Sequence, residues 1–406
     1  MTIEDTRKGN HITLLKEANR YLIMQCIIKY APLSTEDIVK RTNLSRPTVL
    51  GVIRELQEER LIIHDGFSES IGGRAANLWA LNGEDHFAVG IDFEFPKVRM
   101  TLANMKRQIR ASQTLVFSQD VNRDTLLTEL FDKLNTFIDD SGIARKSIRG
   151  IGVGLPGVID TVKGMSLSIE RIHGWKNVRF QEELEKCTGL QVYIKNDVHL
   201  MGLVEKRLYL GDEIKDFIYV GFRSGIGCIV YQKDRPMRGE KGNAGFIGHS
   251  TLNPNGPVCC CGSRGCLDVY AGKMSIVQNY VQLCTEQGTV LTETPDFDDL
   301  LALAASGDAL AAKVMRDAGF YLGVALSNLI KIVEIPRVVI GGCPALKDSV
   351  LLEAAEASMK QYLTDSLSMQ VSLSCGAMPE EKFALGGCLL VFDHLLEKPK
   401  LNLSSI

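Results

Sequence analysis

The spacing of apolar residues predicts three helices near the start of the chain. Apolar side chains recur at helical intervals over residues 12–30, and Pro32 ends this first helix because proline has no amide hydrogen to continue it. Ser34 or Thr35 then caps a second helix that extends to residue 41. Ser45 caps a third helix, which tolerates proline in its first turn and ends near residue 59.

Two short strands complete this N-terminal pattern. Residues 61–64 and 78–81 are apolar runs that flank a loop containing Gly72 and Gly73. Three short helices followed by a two-stranded ribbon are typical of a winged helix-turn-helix, so we expect such a domain over residues 1–82.

Beyond residue 83 the pattern changes to alternating strands and helices, which predicts an α/β fold. A buried strand at 149–153 ends in the turn 154–157, and a strand at 190–195 leads into a helix. Residues 217–221 and 226–231 form a hairpin, and a late strand at 337–340 stops at two glycines. We expect an α/β body of two lobes with a cleft between them.

Composition excludes several protein classes. With 406 residues, of which 45% are hydrophobic and 23% charged, the chain is neither disordered nor collagen-like. It has no run of eighteen apolar residues and no apolar segment behind a cationic N-terminus, so we expect no membrane partner, no signal peptide and a cytoplasmic location. The net charge of −3 provides no general attraction to nucleic acid.

Local charge nevertheless favours DNA binding by the third helix. Residues 38–54 contain four cations and no anion, as a surface that faces phosphates requires. The predicted DNA contacts are the N-terminal residues of this helix, a further arginine on it and the wing arginine: Ser45, Arg46, Thr48, Val49, Arg54 and Arg74. Two alternatives stay open: a solvated helix pair used for dimerisation, and an ordinary loop arginine at position 74.

A cysteine-rich segment predicts a structural metal. Four of the eleven cysteines lie within the run CCCGSRGC at 259–266, ten residues after His249. Three thiolates and one imidazole complete the tetrahedron that zinc prefers, and only one of Cys259 and Cys260 needs to coordinate. A redox or incidental cluster is the alternative. Zinc held in this way contributes on the order of 10 kcal/mol to an otherwise poorly packed loop.

Several motifs together resemble the ROK family (repressors, open reading frames and sugar kinases). The segments GNAGFIGH at 242–249 and 259–268 match its paired signature, and LPGVID, HGW, KND and VIGG follow in the family order. The leading winged helix with GGR at 72–74 is similar to the NagC/XylR-type transcriptional repressors of that family. The resemblance covers essentially the whole chain.

The resemblance implies an actin-like, ribonuclease H-like body and specific ligands. A small lobe would cover residues 83–195, joined by 385–406, and a large lobe with the zinc site and a dimerisation surface would cover 196–384. It assigns one structural Zn²⁺ per chain to His249, Cys259, Cys261 and Cys266. It assigns sugar contacts to Asn196, Asp197, Phe246, His249 and Asp268.

Two of these sugar positions depart from the family pattern. Phe246 and Asp268 stand where relatives usually carry glutamate, and a phenyl ring cannot accept a hydrogen bond from a hydroxyl. Either the ligand differs, or the ring stacks against an apolar sugar face, or sugar binding has been lost.

The phosphate-binding hairpin of sugar kinases is also altered. Kinases of this family carry D-x-G-G-T after the first strand, whereas this chain has Asp92, Phe93, Glu94, Phe95 and Pro96. Proline offers no amide to a phosphate, and Glu94 would repel a nucleotide. Asp197 stands where kinases have their general base, and we interpret it as a contact that orients a ligand hydroxyl, with a helix N-cap as the alternative.

These observations predict a dimeric, ligand-controlled transcriptional regulator and no enzyme. We expect a repressor of carbohydrate uptake or catabolism genes, such as those of xylose metabolism. Two winged helices would grip a double-stranded, pseudo-palindromic operator with half-sites about 10 base pairs apart or a multiple of that. The alternatives are an ATP-dependent sugar kinase with an added DNA-binding head, a repressor controlled by protein sequestration without a small ligand, and a tetramer in place of the dimer.

Overall fold

The N-terminal part of the chain forms three helices and a small antiparallel sheet. The computed structural model describes residues 3–69, 75–368 and 370–396. Within them, the first helices are α1 (Ile3–Tyr30), α2 (Thr35–Thr42) and α3 (Arg46–Glu58). The strands are β1 (Leu33–Ser34), β2 (Ile62–Phe67) and β3 (Asn77–Leu81), in the order β1-β3-β2. We call residues 3–69 and 75–82 the N-terminal module.

Side-chain caps explain where the second and third helices begin. Ser34, rather than Thr35, caps α2: its hydroxyl accepts from the Asp37 amide, and the Asp37 carboxylate accepts from the Ser34 amide. Asn43 ends α2 in the left-handed conformation. Ser45 caps α3 by accepting from the Thr48 amide. The predicted helices are therefore confirmed, and α1 begins earlier than the apolar spacing indicated.

The first lobe of the body is built on a five-stranded mixed sheet. Its strands are β4 (Phe87–Glu94), β5 (Lys97–Asn104), β6 (Ile109–Val116), β7 (Ile148–Leu155) and β11 (Val192–Asn196), in the order β11-β7-β4-β5-β6. A second antiparallel sheet contains β8 (Val158–Asp160), β9 (Met165–Ser168) and β10 (Lys176–Val178). The helices are α4 (Arg123–Asp140) and α5 (Phe180–Thr188). Strand β6 was not predicted because this edge strand is mostly exposed and lacks an apolar alternation.

The second lobe is built on another five-stranded sheet. Its strands are β12 (Phe217–Phe222), β13 (Ile226–Gln232), β14 (Arg235–Pro236), β15 (Arg337–Gly341) and β16 (Ser372–Cys375), in the order β14-β13-β12-β15-β16. The remaining helices are α6 (Asp197–Leu208), α7 (Asp268–Ala271), α8 (Lys273–Glu286), α9 (Phe297–Ala305), α10 (Ala309–Val333), α11 (Val350–Gln361), α12 (Asp365–Ser368) and α13 (Leu385–Leu395).

Helix α13 returns to the first lobe and packs against its central strands β4 and β7. The approach is so close that a Cβ atom at Gly90 would collide with the Ala384 carbonyl, and one at Gly152 with the Gly387 carbonyl. Glycine at both strand positions therefore lets the helix backbone touch the sheet. This packing holds strands β4 and β7 from one side, while α6 begins at the end of the neighbouring strand β11.

The helices offer no candidate for a membrane span. Over residues 3–69, 75–368 and 370–396, none combines the length and the apolar character that crossing a bilayer requires.

Candidate functional site

The exposed face of α3 carries most of the predicted DNA contacts. Ser45, Arg46 and Arg54 are exposed, and Thr48 is half-buried beside the Ser45 cap. Arg46 forms a 2.8 Å ion pair with Glu36 of α2, but both side chains remain more than half exposed. A pair this accessible is weak and can exchange its carboxylate for a phosphate. Arg74 lies outside the described residues.

The prediction that Val49 faces DNA is wrong. Val49 is completely buried and belongs to the same apolar face of α3 as Val52, Ile53 and Leu56. These positions repeat at helical spacing, so they all point into the core of the N-terminal module. Leu50, which is 42% exposed, lies between Arg46 and Arg54 at intervals of four residues and therefore shares their surface. The same periodicity in the sequence could have identified it.

All five predicted ligand residues line one cleft. The cleft has a volume of about 390 Å³, and Asn196, Asp197, Phe246, His249 and Asp268 all lie along it. Asn196 caps α6, since its side-chain oxygen accepts from the amides of Val198 and His199. Asp197 is the first residue of that helix, so its alternative interpretation as the N-cap is wrong.

The cleft lining includes a buried carboxylate and an exposed phenyl ring. Asp197 is only 8% exposed, whereas Phe246 is 36% exposed. The Phe246 ring lies 6.2 Å from the His249 ring. Asp268 accepts from the Ile226 amide at 3.0 Å, and burial raises the pKa of its carboxyl. A ligand in this cleft would meet both hydrogen-bonding groups and a phenyl face.

The predicted metal ligands converge on one point. The ligand atoms of His249, Cys259, Cys261 and Cys266 all lie within 4.8 Å of one another. The Cys261 and Cys266 sulfurs are 3.7 Å apart, and the Cys259 sulfur is 3.6 Å from His249 Nδ1. Zinc–sulfur bonds of about 2.3 Å in a tetrahedron place two sulfurs at nearly this separation. These four residues could hold a metal ion.

The remaining cysteine of the segment, Cys260, is separate from that cluster. Cys260 is exposed, and its sulfur lies 3.9 Å from that of Cys259. Cys260 is not part of the four-residue group, although it lines the cleft beside Cys259. The geometry therefore favours Cys259 over Cys260 as the ligand.

An unpredicted ion-pair network lies beside Asp197. Arg223, at the turn between β12 and β13, is 2% exposed and donates to both carboxylate oxygens of Asp92 at 2.7 Å. It also donates to Glu94 at 2.7 Å and to Asp197 at 3.2 Å. Although burial alone would lower the pKa of Arg223, the three carboxylates raise it well above its ordinary value.

A second arginine extends the network on the first lobe. Arg99 of β5 donates to Asp92, Glu94 and Glu380 over 2.9–3.1 Å. Burial by itself raises the pKa of Glu94, but the charges of Arg223 and Arg99 outweigh it and lower the pKa to about 2. Burial raises the pKa of Asp197 to about 6 against the opposing charge of Arg223.

This network corrects the expected role of Glu94. The carboxylate does not stand free to repel a nucleotide, because two guanidinium groups neutralise it. The altered hairpin instead uses Glu94 and Asp92 to bind the chain's own Arg223. The sequence placed Arg223 between two predicted strands. Its carboxylate partners lie in distant segments, so no local sequence pattern could predict the ion pairs.

His199 is a further residue that the sequence did not single out. It lies in the first turn of α6, is 4% exposed, and its Nε2 lies 2.7 Å from the carbonyl oxygen of Ala244 in the cleft wall. Because a carbonyl only accepts, Nε2 is the protonated nitrogen. Burial lowers the pKa of His199 to about 4, so the ring stays neutral and holds the segment that leads to Phe246.

Comparison with known proteins identifies the body. A model of the ROK family matches residues 88–393. The chain is 26% identical over 398 residues to a xylose repressor of Caldicellulosiruptor bescii, covering 97% of this chain and 99% of the relative. It is 27% identical over 406 residues to the DNA-binding transcriptional dual regulator NagC of Escherichia coli, covering 96% and 98%.

Solved structures have the same fold. A ROK family transcriptional regulator, a homologue of the Escherichia coli MLC protein, superposes with a TM-score of 0.81 at 23% identity over 94% of this chain and 97% of its own. A ROK glucokinase from Streptomyces griseus superposes with a TM-score of 0.66 at 19% identity over 75% and 98%. The predicted mixed α/β, actin-like body is thereby confirmed. Because the family model spans most of both lobes, this chain belongs to the ROK family.

Proposed function

We propose that this protein is a sugar-responsive, DNA-binding transcriptional regulator that represses genes of carbohydrate uptake or catabolism. The observation that carries the proposal is the exposed face of α3, where Arg46, Leu50 and Arg54 follow one another along a helix whose opposite face is buried. A helix presented in this way fits the major groove, with its arginines near phosphates and base edges. The similarity to relatives named as a xylose repressor and as a DNA-binding transcriptional dual regulator supports the same function.

The N-terminal module acts in this proposal as a winged helix-turn-helix. Helix α2 and the cap of α3 form the turn, and β2 and β3 form the wing. Ser45, Arg46, Thr48 and Arg54 are the proposed contacts, joined by Leu50 in place of Val49. Arg74 remains a proposed wing contact with the minor groove.

The internal ion pairs argue against a sugar kinase. Arg223 and Arg99 bind Asp92 and Glu94 at the hairpin that in the kinases of the family receives phosphate. A nucleotide there would have to displace several short, buried charge-assisted hydrogen bonds. We therefore propose that the chain is not an enzyme.

The cleft is the proposed sugar site. Asn196, Asp197, His249 and Asp268 offer hydrogen-bonding groups to hydroxyls, and Phe246 offers a ring that stacks on an apolar sugar face. Since Phe246 stands where relatives usually have glutamate, the proposed effector is a sugar or sugar derivative with an apolar face or substituent at that position.

The cysteine cluster is proposed to hold one structural Zn²⁺ through His249, Cys259, Cys261 and Cys266. A closed set of four protein ligands leaves no open position for catalysis, so the metal's contribution is to fix the loop. Because His249 and Cys259 also line the cleft, the metal would stabilise the wall on which the effector rests.

The proposed function implies a division into domains and a dimeric assembly. We propose a DNA-binding domain over residues 1–82, a small lobe over 83–195 joined by 385–406, and a large lobe over 196–384 with the dimer surface. A twofold dimer places two copies of α3 on a pseudo-palindromic operator.

Binding to selected DNA tests the function. Duplexes that full-length protein enriches from a random library provide the probe, and dissociation constants are measured over a salt series. Replacing Arg46→Ala should weaken binding and reduce the salt slope by about 1, the effect of one lost phosphate contact. Arg110→Ala, an exposed change in the body, is the matched control. Failure to enrich any duplex, or an unchanged affinity and slope in Arg46→Ala, would contradict the proposed recognition helix.

A further inference from the structure

A buried histidine joins the N-terminal module to the body. His86 is 2% exposed and directly precedes β4. Its Nε2 lies 2.9 Å from the carbonyl oxygen of Arg60, just beyond α3, and its Nδ1 accepts from Arg149 Nε at 2.7 Å. Arg149 belongs to β7. One imidazole ring therefore connects the end of the proposed recognition helix with two strands of the first lobe.

The partners of the ring leave it a single protonation state. The Arg60 carbonyl can only accept, so Nε2 carries the hydrogen, while Arg149 can only donate, so Nδ1 offers its lone pair. Burial, and then the charge of Arg149, lower the pKa of His86, and Asp85 is the charged group that opposes them. The neutral ring therefore donates one hydrogen bond and accepts the other, and neither partner allows these two roles to be exchanged.

The module has few other polar ties to the body near this point. Asn82 also donates to the Arg60 carbonyl, at 2.8 Å, but the other contacts of its side chain are with Asp85 and Glu84 in the same connecting segment. Lys29 of α1 and Asp212 form an ion pair at 2.8 Å, and both side chains are exposed to solvent. Of these contacts, only the one through buried His86 reaches a central strand of the sheet, at Arg149, whose side chain is itself exposed.

The two strands that begin at this joint end at the cleft. Strands β4 and β7 run parallel, paired from Phe87 with Ile148 to Asp92 with Gly154. At its far end β4 contributes Asp92 and Glu94 to the Arg223 network. Strand β7 leads into Pro156 and Gly157, which line the cleft. A hydrogen-bonded pair of strands therefore spans from the joint to the proposed effector site.

We propose that His86 is the positioning residue through which the state of the cleft reaches the DNA-binding module. This inference rests on the proposed function and adds its route of regulation. A shift of β4 relative to β7 moves His86 and Arg149 together or apart, and the ring passes that displacement to the C-terminal end of α3. Because binding coupling is reciprocal, DNA on α3 must also alter the cleft ends of the same strands.

Three single substitutions distinguish a coupling role of His86 from a purely structural one. His86→Gln can still donate to the Arg60 carbonyl, but its one acceptor, the amide oxygen, is bonded to the same carbon as that donor and does not occupy the position of Nδ1 that Arg149 contacts. Arg149→Met removes the donor on β7, whereas Arg149→Lys retains one. Glu84→Gln is the matched control, since Glu84 lies in the same connecting segment and, among the described residues, its side chain forms an ion pair with exposed Arg110 of the body.

The test uses full-length protein with a duplex selected from a random library, so it needs no identified sugar. Hydrogen exchange is measured at residues 90–95 and 152–157, with and without the duplex. In the unmodified chain and in Glu84→Gln, we expect DNA to change exchange there by about fivefold or more, the lower range of ordinary coupling. In His86→Gln and Arg149→Met this DNA-dependent change should disappear, while the dissociation constant for DNA stays within about threefold of the original. Arg149→Lys should recover it in part.

The outcomes distinguish this inference from the function beneath it. If the unmodified chain selects no duplex, the proposed function fails and the inference with it. If DNA binds but exchange at the cleft ends does not change, or if His86→Gln keeps the full change, the coupling route is wrong while DNA binding stands. A purely supporting role would alter exchange equally with and without DNA, and that result would also overturn the proposal.

Discussion

Arg223 and Asp92 form a bidentate ion pair across the two lobes. Arg223 Nη1 donates to Oδ1 and Nη2 donates to Oδ2, each over 2.7 Å. Asp92 lies on β4 of the first lobe, and Arg223 lies at the β12–β13 turn of the second. Paired hydrogen bonds between planar groups fix both distance and angle. The pair therefore sets how closely the lobes approach at the base of the cleft.

Removing the Arg223 charge should destabilise the protein strongly. Arg223→Met leaves Asp92, Glu94 and Asp197 close together with only Arg99 for compensation, and breaking a buried pair in this way costs about 3–5 kcal/mol. Urea unfolding measures the loss. Adding Asp92→Asn should restore part of the stability, because it removes one unpaired charge.

An exposed pair provides the control for this measurement. Arg110→Met breaks a pair with Glu84 in which both side chains are substantially exposed, so the free energy of unfolding should change by roughly 0–1 kcal/mol. Equal effects of Arg223→Met and Arg110→Met would show that the network does not hold the lobes together.

Replacing one proposed zinc ligand should release the metal. Cys261→Ser removes a thiolate from the four-residue cluster, and three remaining ligands bind zinc much more weakly. Elemental analysis of purified protein should find one zinc per chain in the unmodified protein and far less in the variant. The thermal unfolding midpoint should fall as well.

Two serine variants serve as controls for the metal site. Cys187→Ser changes an exposed cysteine of the first lobe, and Cys260→Ser changes the exposed neighbour of Cys259. Both should retain one zinc per chain. Retention of zinc by Cys261→Ser, or its loss from Cys260→Ser, would refute the assigned ligand set.

Changing Phe246 should alter the choice of effector. Phe246→Glu replaces an apolar ring, 36% exposed in the cleft, with a group that accepts hydrogen bonds from hydroxyls. The thermal shift caused by sugars with many free hydroxyls should rise relative to sugars with an apolar substituent. Phe246→Tyr keeps the ring and should preserve the original order. An unchanged response of Phe246→Glu to a panel of monosaccharides and substituted sugars would argue against this cleft as the site.

Protonation of His199 should lower the free energy of unfolding in acid. Its pKa of about 4 in the folded protein lies below the ordinary value of 6.5, so the unfolded chain takes up a proton first as the pH falls. The stabilising contribution is complete above pH 6.5 and decreases as the pH drops toward 4. Its full loss amounts to up to about 3 kcal/mol.

A glutamine at the same position isolates this titration. His199→Gln can still donate to the Ala244 carbonyl but has no proton to gain in this range. The free energy of unfolding, measured by urea at several pH values, should therefore fall more steeply in the unmodified protein than in His199→Gln between pH 6.5 and 4. Parallel curves would contradict a buried neutral ring.

Short-range signals predicted the N-terminal helices and several of the strands. The caps of α2 and α3 involve residues three positions apart, so neighbouring residues alone identified Ser45 and narrowed the cap of α2 to Ser34 or Thr35. The metal cluster was similarly visible, because Cys259, Cys261 and Cys266 are close in sequence and glycine turns connect them. The prediction for Val49 was wrong because it relied on the position of this residue near the start of α3. Its helical spacing from Val52, Ile53 and Leu56 indicates the buried face instead.

By itself, the sequence determined the α/β class, the capped helices, the metal-binding residue types and the loss of the glycine hairpin at 92–96. Only the tertiary structure decided what replaces that hairpin. Arg223 lies 131 residues from Asp92 and 26 from Asp197, and Arg149 lies 63 from His86. Nothing within a local segment encodes such pairings, because they arise only when separate strands pack side by side and buried charges must find partners among the groups then within reach.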